Sequence, residues 1–180
     1  LKDLQMPYSM SRLLQGDVGS GKTIIAAAAC YLTIKAGYQA ALMVPTEILA
    51  KQHYKSISKL LSLHGINTQI LVGSTNEQAK KEIYKSIETG TLDCIIGTHA
   101  LIQEKVKFNK LGIAVIDEQH RFGVKQREIL KKNGSPHLLN LSATPIPRTL
   151  ALTIYGDQDL SIIDELPPGR QPIITRLVPE

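Results

Sequence analysis

Tryptophan is absent from the chain, and only 4% of its 180 residues are aromatic. A surface that grips nucleobases chiefly by stacking needs more rings than this. A nucleic-acid partner would therefore be held by its phosphate backbone. Cysteine is almost as scarce. The 2 cysteines, Cys30 and Cys94, lie far apart in sequence, each in apolar surroundings. They read as reduced core thiols of a cytoplasmic protein, not as a disulfide framework. No Cys/His cluster has zinc-ligand spacing. No apolar run approaches the roughly 20 residues that span a bilayer. No charged-then-apolar start suggests secretion, so no membrane partner is expected. An acidic excess is lacking too. Lys and Arg number 21 against 16 Asp and Glu, a net charge of +5, and the pI is near 9.2. That balance permits a polyanionic partner without requiring one.

Against these absences stands an ordinary globular composition, 43% hydrophobic and 21% charged. The length suits one domain with a sizeable core. Strand-like apolar runs at 11–15, 40–45, 68–72, 93–97, 112–117 and 137–142 alternate with helical patterns near 22–36, 47–63, 75–89, 123–132 and 147–154. The alternation predicts an α/β fold, a mostly parallel sheet with helices on both faces. Ligands of such sheets bind outside the carboxyl ends of the strands. Near residue 160 the character changes. Asp164 to Pro172 is Pro-rich and polar and cannot sit in a central strand. Ile173 to Val178 then reads as a strand. A domain boundary is expected at 160, with 161–180 as a linker and the first strand of a further lobe.

The most specific signal is Gly16-Asp17-Val18-Gly19-Ser20-Gly21-Lys22-Thr23, which fits G-x-x-x-x-G-K-[ST] at every fixed position. This is the phosphate-binding loop of a nucleotide hydrolase. The glycines let the backbone curl so that several N–H groups point at one anion. Lys22 supplies positive charge to the β- and γ-phosphates of a nucleotide, and Thr23 offers a hydroxyl to Mg²⁺. The following helix adds its positive N-terminal end. The context the motif demands is present: a short apolar strand before it and an Ala-rich run after it. That run is apolar nearly all round, which predicts burial against the sheet.

A phosphate loop needs a partner carboxylate. Ile113-Ala114-Val115-Ile116-Asp117-Glu118 places one at the end of an apolar strand. Asp117 is assigned to the metal, and Glu118 to the general base that polarises the attacking water. On the helix at 47–63, Leu49, His53, Ile57 and Leu61 form one stripe and Lys51, Lys55 and Lys59 another. The lysines fit a solvated face better than a phosphate contact. His53 fits a packed core histidine better than a DNA contact.

Further strings carry a family resemblance. Asp117-Glu118-Gln119-His120 resembles the DExH box of superfamily 2 helicases and translocases. Pro45 to Ala50, Gly97 to Leu101 and Ser142-Ala143-Thr144 resemble other motifs of that family, in order. Asp117 to Val124, Ala143 to Leu150 and Asp164 to Arg170 resemble the bacterial branch-migrating DNA helicases. The transcription–repair coupling translocases share the first two strings, but usually have a second Glu in place of Gln119 and a different linker.

The resemblance implies a RecA-like lobe whose loop at 16–23 holds ATP and Mg²⁺. It implies that Gln119, His120, Ser142 and Thr144 couple hydrolysis to movement, and that Thr46 and Thr98 lie on loops touching branched or duplex DNA. Thr46 equally suits a helix N-cap, Thr98 could satisfy a strand end, and Ser142 and Thr144 could be turn residues. Family members build the active site between two lobes, and the second supplies an arginine finger worth about 10³–10⁵ in rate. That lobe, and an N-terminal wedge domain that splits branched DNA, are expected outside this chain. The upstream glutamine motif that reads adenine is not expected within it, since Gln5 matches poorly. The expectation is a monomeric first motor lobe of a larger DNA helicase that remodels stalled forks and Holliday junctions. Alone it should bind ATP weakly and hydrolyse it poorly. Two other classes compete: a P-loop enzyme that does not act on nucleic acid, and a non-catalytic module with a relic site. Neither an acceptor lid nor a transporter signature is found, and both Lys22 and Glu118 are present.

Overall fold

The computed structural model describes residues 2–117, 134–144 and 158–165. Seven strands form one sheet: β1 (Ser11–Gly16), β2 (Gln39–Met43), β3 (Thr68–Leu71), β4 (Cys94–Gly97), β5 (Leu111–Asp117), β6 (His137–Ser142) and β7 (Asp159–Ile163). Their order is β3-β4-β2-β5-β6-β1-β7, and every pairing is parallel. Among the described residues, three α-helices connect them: α1 (Lys22–Lys35), α2 (Glu47–Ser62) and α3 (Glu77–Thr89). The helical patterns at 123–132 and 147–154 lie outside the described residues.

Handedness decides which face each helix covers. A crossover between parallel strands is right-handed, so the direction of travel across the sheet fixes the face. From β1 to β2 and from β2 to β3 the chain moves the same way, and α1 and α2 share one face. Ala26, Ala29 and Cys30 of α1 and Ala50, Ile57 and Leu61 of α2 pack there on Leu42, Val115 and Leu141. From β3 to β4 the chain turns back, and α3 covers the opposite face. Ile83 and Ile87 pack there on Leu71, Ile95 and Ile116. Each large aliphatic side chain buried this way contributes about 1.5–3 kcal/mol.

The structure refines two sequence expectations and moves a third. The all-round apolar helix α1 buries one side only: Ile24 is 60% exposed and Leu32 42%. A helix lying on one face of a sheet has an outer side, whatever its composition. Secondly, Asp159–Ile163 is a strand paired with β1 from Arg12 to Gly16. The boundary expected at 160 thus falls inside β7; residues 166–180 lie outside the described residues. Thirdly, the two cysteines meet in space. Both are free and buried, as expected, and Cys30 lies close enough to act on the Cys94 thiol. That contact first, and burial second, raise the Cys94 pKa well above its ordinary value.

Candidate nucleotide site

Register brings the sequence motifs to one edge. Gln15 pairs with Ser142, Leu141 with Asp117, Ile116 with Met43, and Met43 with Gly97. The strands therefore end in a row, and each motif begins where its strand stops. The phosphate loop leaves β1, Thr46 follows β2, Thr98 follows β4, and Asp117 closes β5.

In the loop, Gly19 and Gly21 take φ of 84° and 93°, a left-handed conformation that costs L side chains about 1–2 kcal/mol. Gly16 is required for another reason. A Cβ there would stand 2.6 Å from Ser20 Oγ and 3.0 Å from Ile163 Cβ. Lys22 Nζ donates to the carbonyl oxygens of Gly16 (2.8 Å) and Asp17 (2.7 Å), which folds its charge over the loop. Helix α1 is entered through Gly21, which offers no side-chain cap, so no side-chain oxygen caps its first N–H groups. Ser20 Oγ is buried without a hydrogen-bond partner. An uncapped helix start, an orphaned hydroxyl and a lysine over curled backbone form a donor set complementary to a polyphosphate. ATP fits these residues.

Asp117 shares the α1/α2 side of the sheet, because it alternates with Ile113 and Val115, which pack there. Its Oδ2 lies 3.0 Å from His53 Nε2. His53 is 8% exposed and stands on α2 between Ala50 and Ile57, both buried. The core reading of His53 holds, but it missed the partner: the side chain is buried against the proposed metal carboxylate. The apolar stripe on α2 signalled burial; only the tertiary fold could pair it with β5. A strand-end carboxylate on the same sheet edge as the hydroxyl-bearing phosphate loop, with β6 between them, is a donor set suited to Mg²⁺. Glu118, Gln119 and His120 lie outside the described residues.

The motif at the end of β6 closes on itself. Ser142 Oγ lies 3.0 Å from Thr144 Oγ1 and accepts from Thr144 N at 3.3 Å. Thr46 caps α2, its side chain accepting from Leu49 N at 3.3 Å, and it remains exposed. Thr98 is 9% exposed and is tied into the strand end, with its N–H on Leu71 O and its carbonyl on Leu101 N. Both threonines thus have structural duties. Sequence reading missed Glu47, whose carboxylate accepts from the Ser74 hydroxyl (2.6 Å) and N–H (3.0 Å). Those two bonds lower its pKa, and they tie the start of α2 to the loop after β3. The lysine stripe on α2 is exposed along its length. A cavity of about 800 Å³ lies at the opposite edge, between Met6, Tyr8, Tyr38 and Gly112, and touches none of these motifs.

A RecA-like, parallel α/β lobe with its phosphate loop and strand-end carboxylate on one edge defines a P-loop nucleotide-binding class. The DEAD/DEAH box helicase family matches residues 5–153, and the chain belongs to that family. It is closely related to bacterial RecG. The ATP-dependent DNA helicase RecG of Aquifex aeolicus is 58% identical over 180 residues, covering 98% of this chain and 23% of the relative. That of Synechocystis is 54% identical, over 99% of this chain and 22% of the relative. A solved structure of RecG bound to a three-way DNA junction superposes with a TM-score of 0.82 at 47% identity, over 94% of this chain and 23% of that one. The chain thus spans about a quarter of the length of the relatives it matches.

Proposed function

We propose that this chain is the first, ATP-binding motor lobe of a longer DNA helicase that remodels branched DNA. The observation that carries this reading is the shared strand-end row, which sets the phosphate loop, Asp117 and Ser142 on one edge. The kinship with RecG supports DNA as the partner, and the junction-bound relative supports branched DNA.

The roles follow from chemistry. The loop from Gly16 to Thr23 cradles the phosphates of ATP, and Lys22 offsets their charge. Thr23 and Asp117 would hold Mg²⁺, which when bound neutralises charge shared between the β- and γ-phosphate oxygens. Glu118 orients and deprotonates the attacking water. Gln119, His120, Ser142 and Thr144 couple hydrolysis to movement. Thr46, exposed at the start of α2, and the more buried Thr98 lie on loops that touch the DNA backbone. A second lobe with an arginine finger, and a wedge domain, belong to the longer protein, which acts in the cytoplasm.

The test is the ATPase rate with and without a Holliday junction. This chain alone is expected to turn over slowly and to ignore the DNA. The longer protein should be strongly stimulated, with affinity for DNA falling steeply as salt rises. Strong stimulation of this chain by itself would contradict the need for a second lobe.

A further inference from the structure

His53 has no part in the roles above, yet it touches the residue on which they turn. We propose that His53 is a positioning residue for the metal carboxylate. It donates its Nε2–H to Asp117 Oδ2 and leaves the other oxygen for the metal. This rests on the nucleotide reading of the site.

Four observations carry the proposal. The contact is 3.0 Å, a full hydrogen bond by length. A carboxylate oxygen accepts, so the pairing takes the imidazole N–H as its donor. Both side chains are largely sequestered, at 10% and 14% exposure, where such a bond is stronger than in water. The ring cannot wander, because Ala50, Ile57 and Leu61 pin that side of α2 into the core. Asp117, by contrast, is the last residue of β5 and needs an outside partner to fix its rotamer. Partners of this kind behind metal ligands typically govern metal affinity by about 10–100-fold. Helix α2 also begins at the Thr46 cap. One rigid element therefore joins the exposed loop after β2 to the carboxylate at the end of β5.

The test is calorimetric titration of the chain with ATP, in Mg²⁺ and in EDTA. His53→Leu is expected to lower the affinity measured in Mg²⁺ about 10-fold or more and to leave the metal-free affinity unchanged. His53→Gln, whose amide keeps a donor near the Nε2 position, should recover most of the loss. Circular dichroism verifies the fold of each. If the leucine variant does not fold, His53→Asn, too short to reach Oδ2, makes the same comparison. Equal Mg²⁺ enhancement in parent and variant overturns the proposal. So does an equal loss with and without Mg²⁺, which marks packing alone. A parent chain that binds no nucleotide overturns the site reading itself, and the proposal with it.

Discussion

Gly97 shows how closely single residues are set in this sheet. It ends β4 beside β3, and a Cβ there would lie 2.1 Å from the Leu71 carbonyl oxygen. Two strand backbones approach too closely for any side chain. Gly97→Ala is expected to destabilise the fold by about 1–3 kcal/mol, the usual cost of overpacking. Urea denaturation reads this as a lower midpoint at unchanged slope; an unchanged midpoint would mean that β3 yields freely. Gln39 makes the opposite kind of demand. Its buried amide donates to the Ile87 and Leu92 carbonyls and accepts from the Asn109 and Lys110 N–H groups. Four backbone groups, at the end of α3, in the loop after it and in the loop before β5, are satisfied by one side chain, as buried polar groups require.

Between elements, the segment leading into β1 is joined to the start of β6. Met10 N–H donates to His137 Nδ1 at 3.0 Å, and Leu138 N–H donates to Met10 O. The accepting nitrogen must be unprotonated. Burial pushes the His137 pKa below its usual 6.5, with Asp3 partly opposing. The unfolded chain therefore takes up the proton first. This contribution to stability is complete above about pH 6.5 and is lost as pH falls through the lower, folded-state value. Unfolding measured from pH 7.5 down to 5 should show a stability loss in the parent that is smaller in His137→Asn, which keeps an acceptor and cannot titrate. Identical pH dependence in both would remove His137 from the account.

The elements also mark what sequence could and could not deliver. Strands β1 to β6 and helices α1 to α3 were legible because each is a short apolar run or a periodic stripe between Gly, Asn or Thr stops. Strand β7 was not. Asp159-Leu160-Ser161-Ile162-Ile163 is a half-exposed edge strand, and the prolines that follow it drew the boundary too early. Its alternating Leu160 and Ile162 were the available signal. At the site, the phosphate loop and Asp117 were legible because their chemistry depends on local spacing. The His53–Asp117 and Glu47–Ser74 contacts join residues 64 and 27 positions apart, and no local pattern encodes such pairs.

At the scale of the whole molecule, one sheet edge gathers the machinery. Right-handed crossovers place α1 and α2 on the same face, which brings the phosphate loop, Asp117 and His53 to one side. The exposed Ile24 and Ile25 flank the loop at the start of α1. The strand beside the loop, β7, sets Ile163 directly against Gly16, so this strand is packed on the candidate phosphate loop itself.

The most direct measurement is calorimetric titration of Mg·ATP into the chain and into Lys22→Ala. The expected result is weak, saturable binding in the parent and none in the variant, with both equally folded. Equal affinity in the two proteins would contradict the assignment of residues 16–23 to the nucleotide, and with it the motor lobe built on that loop.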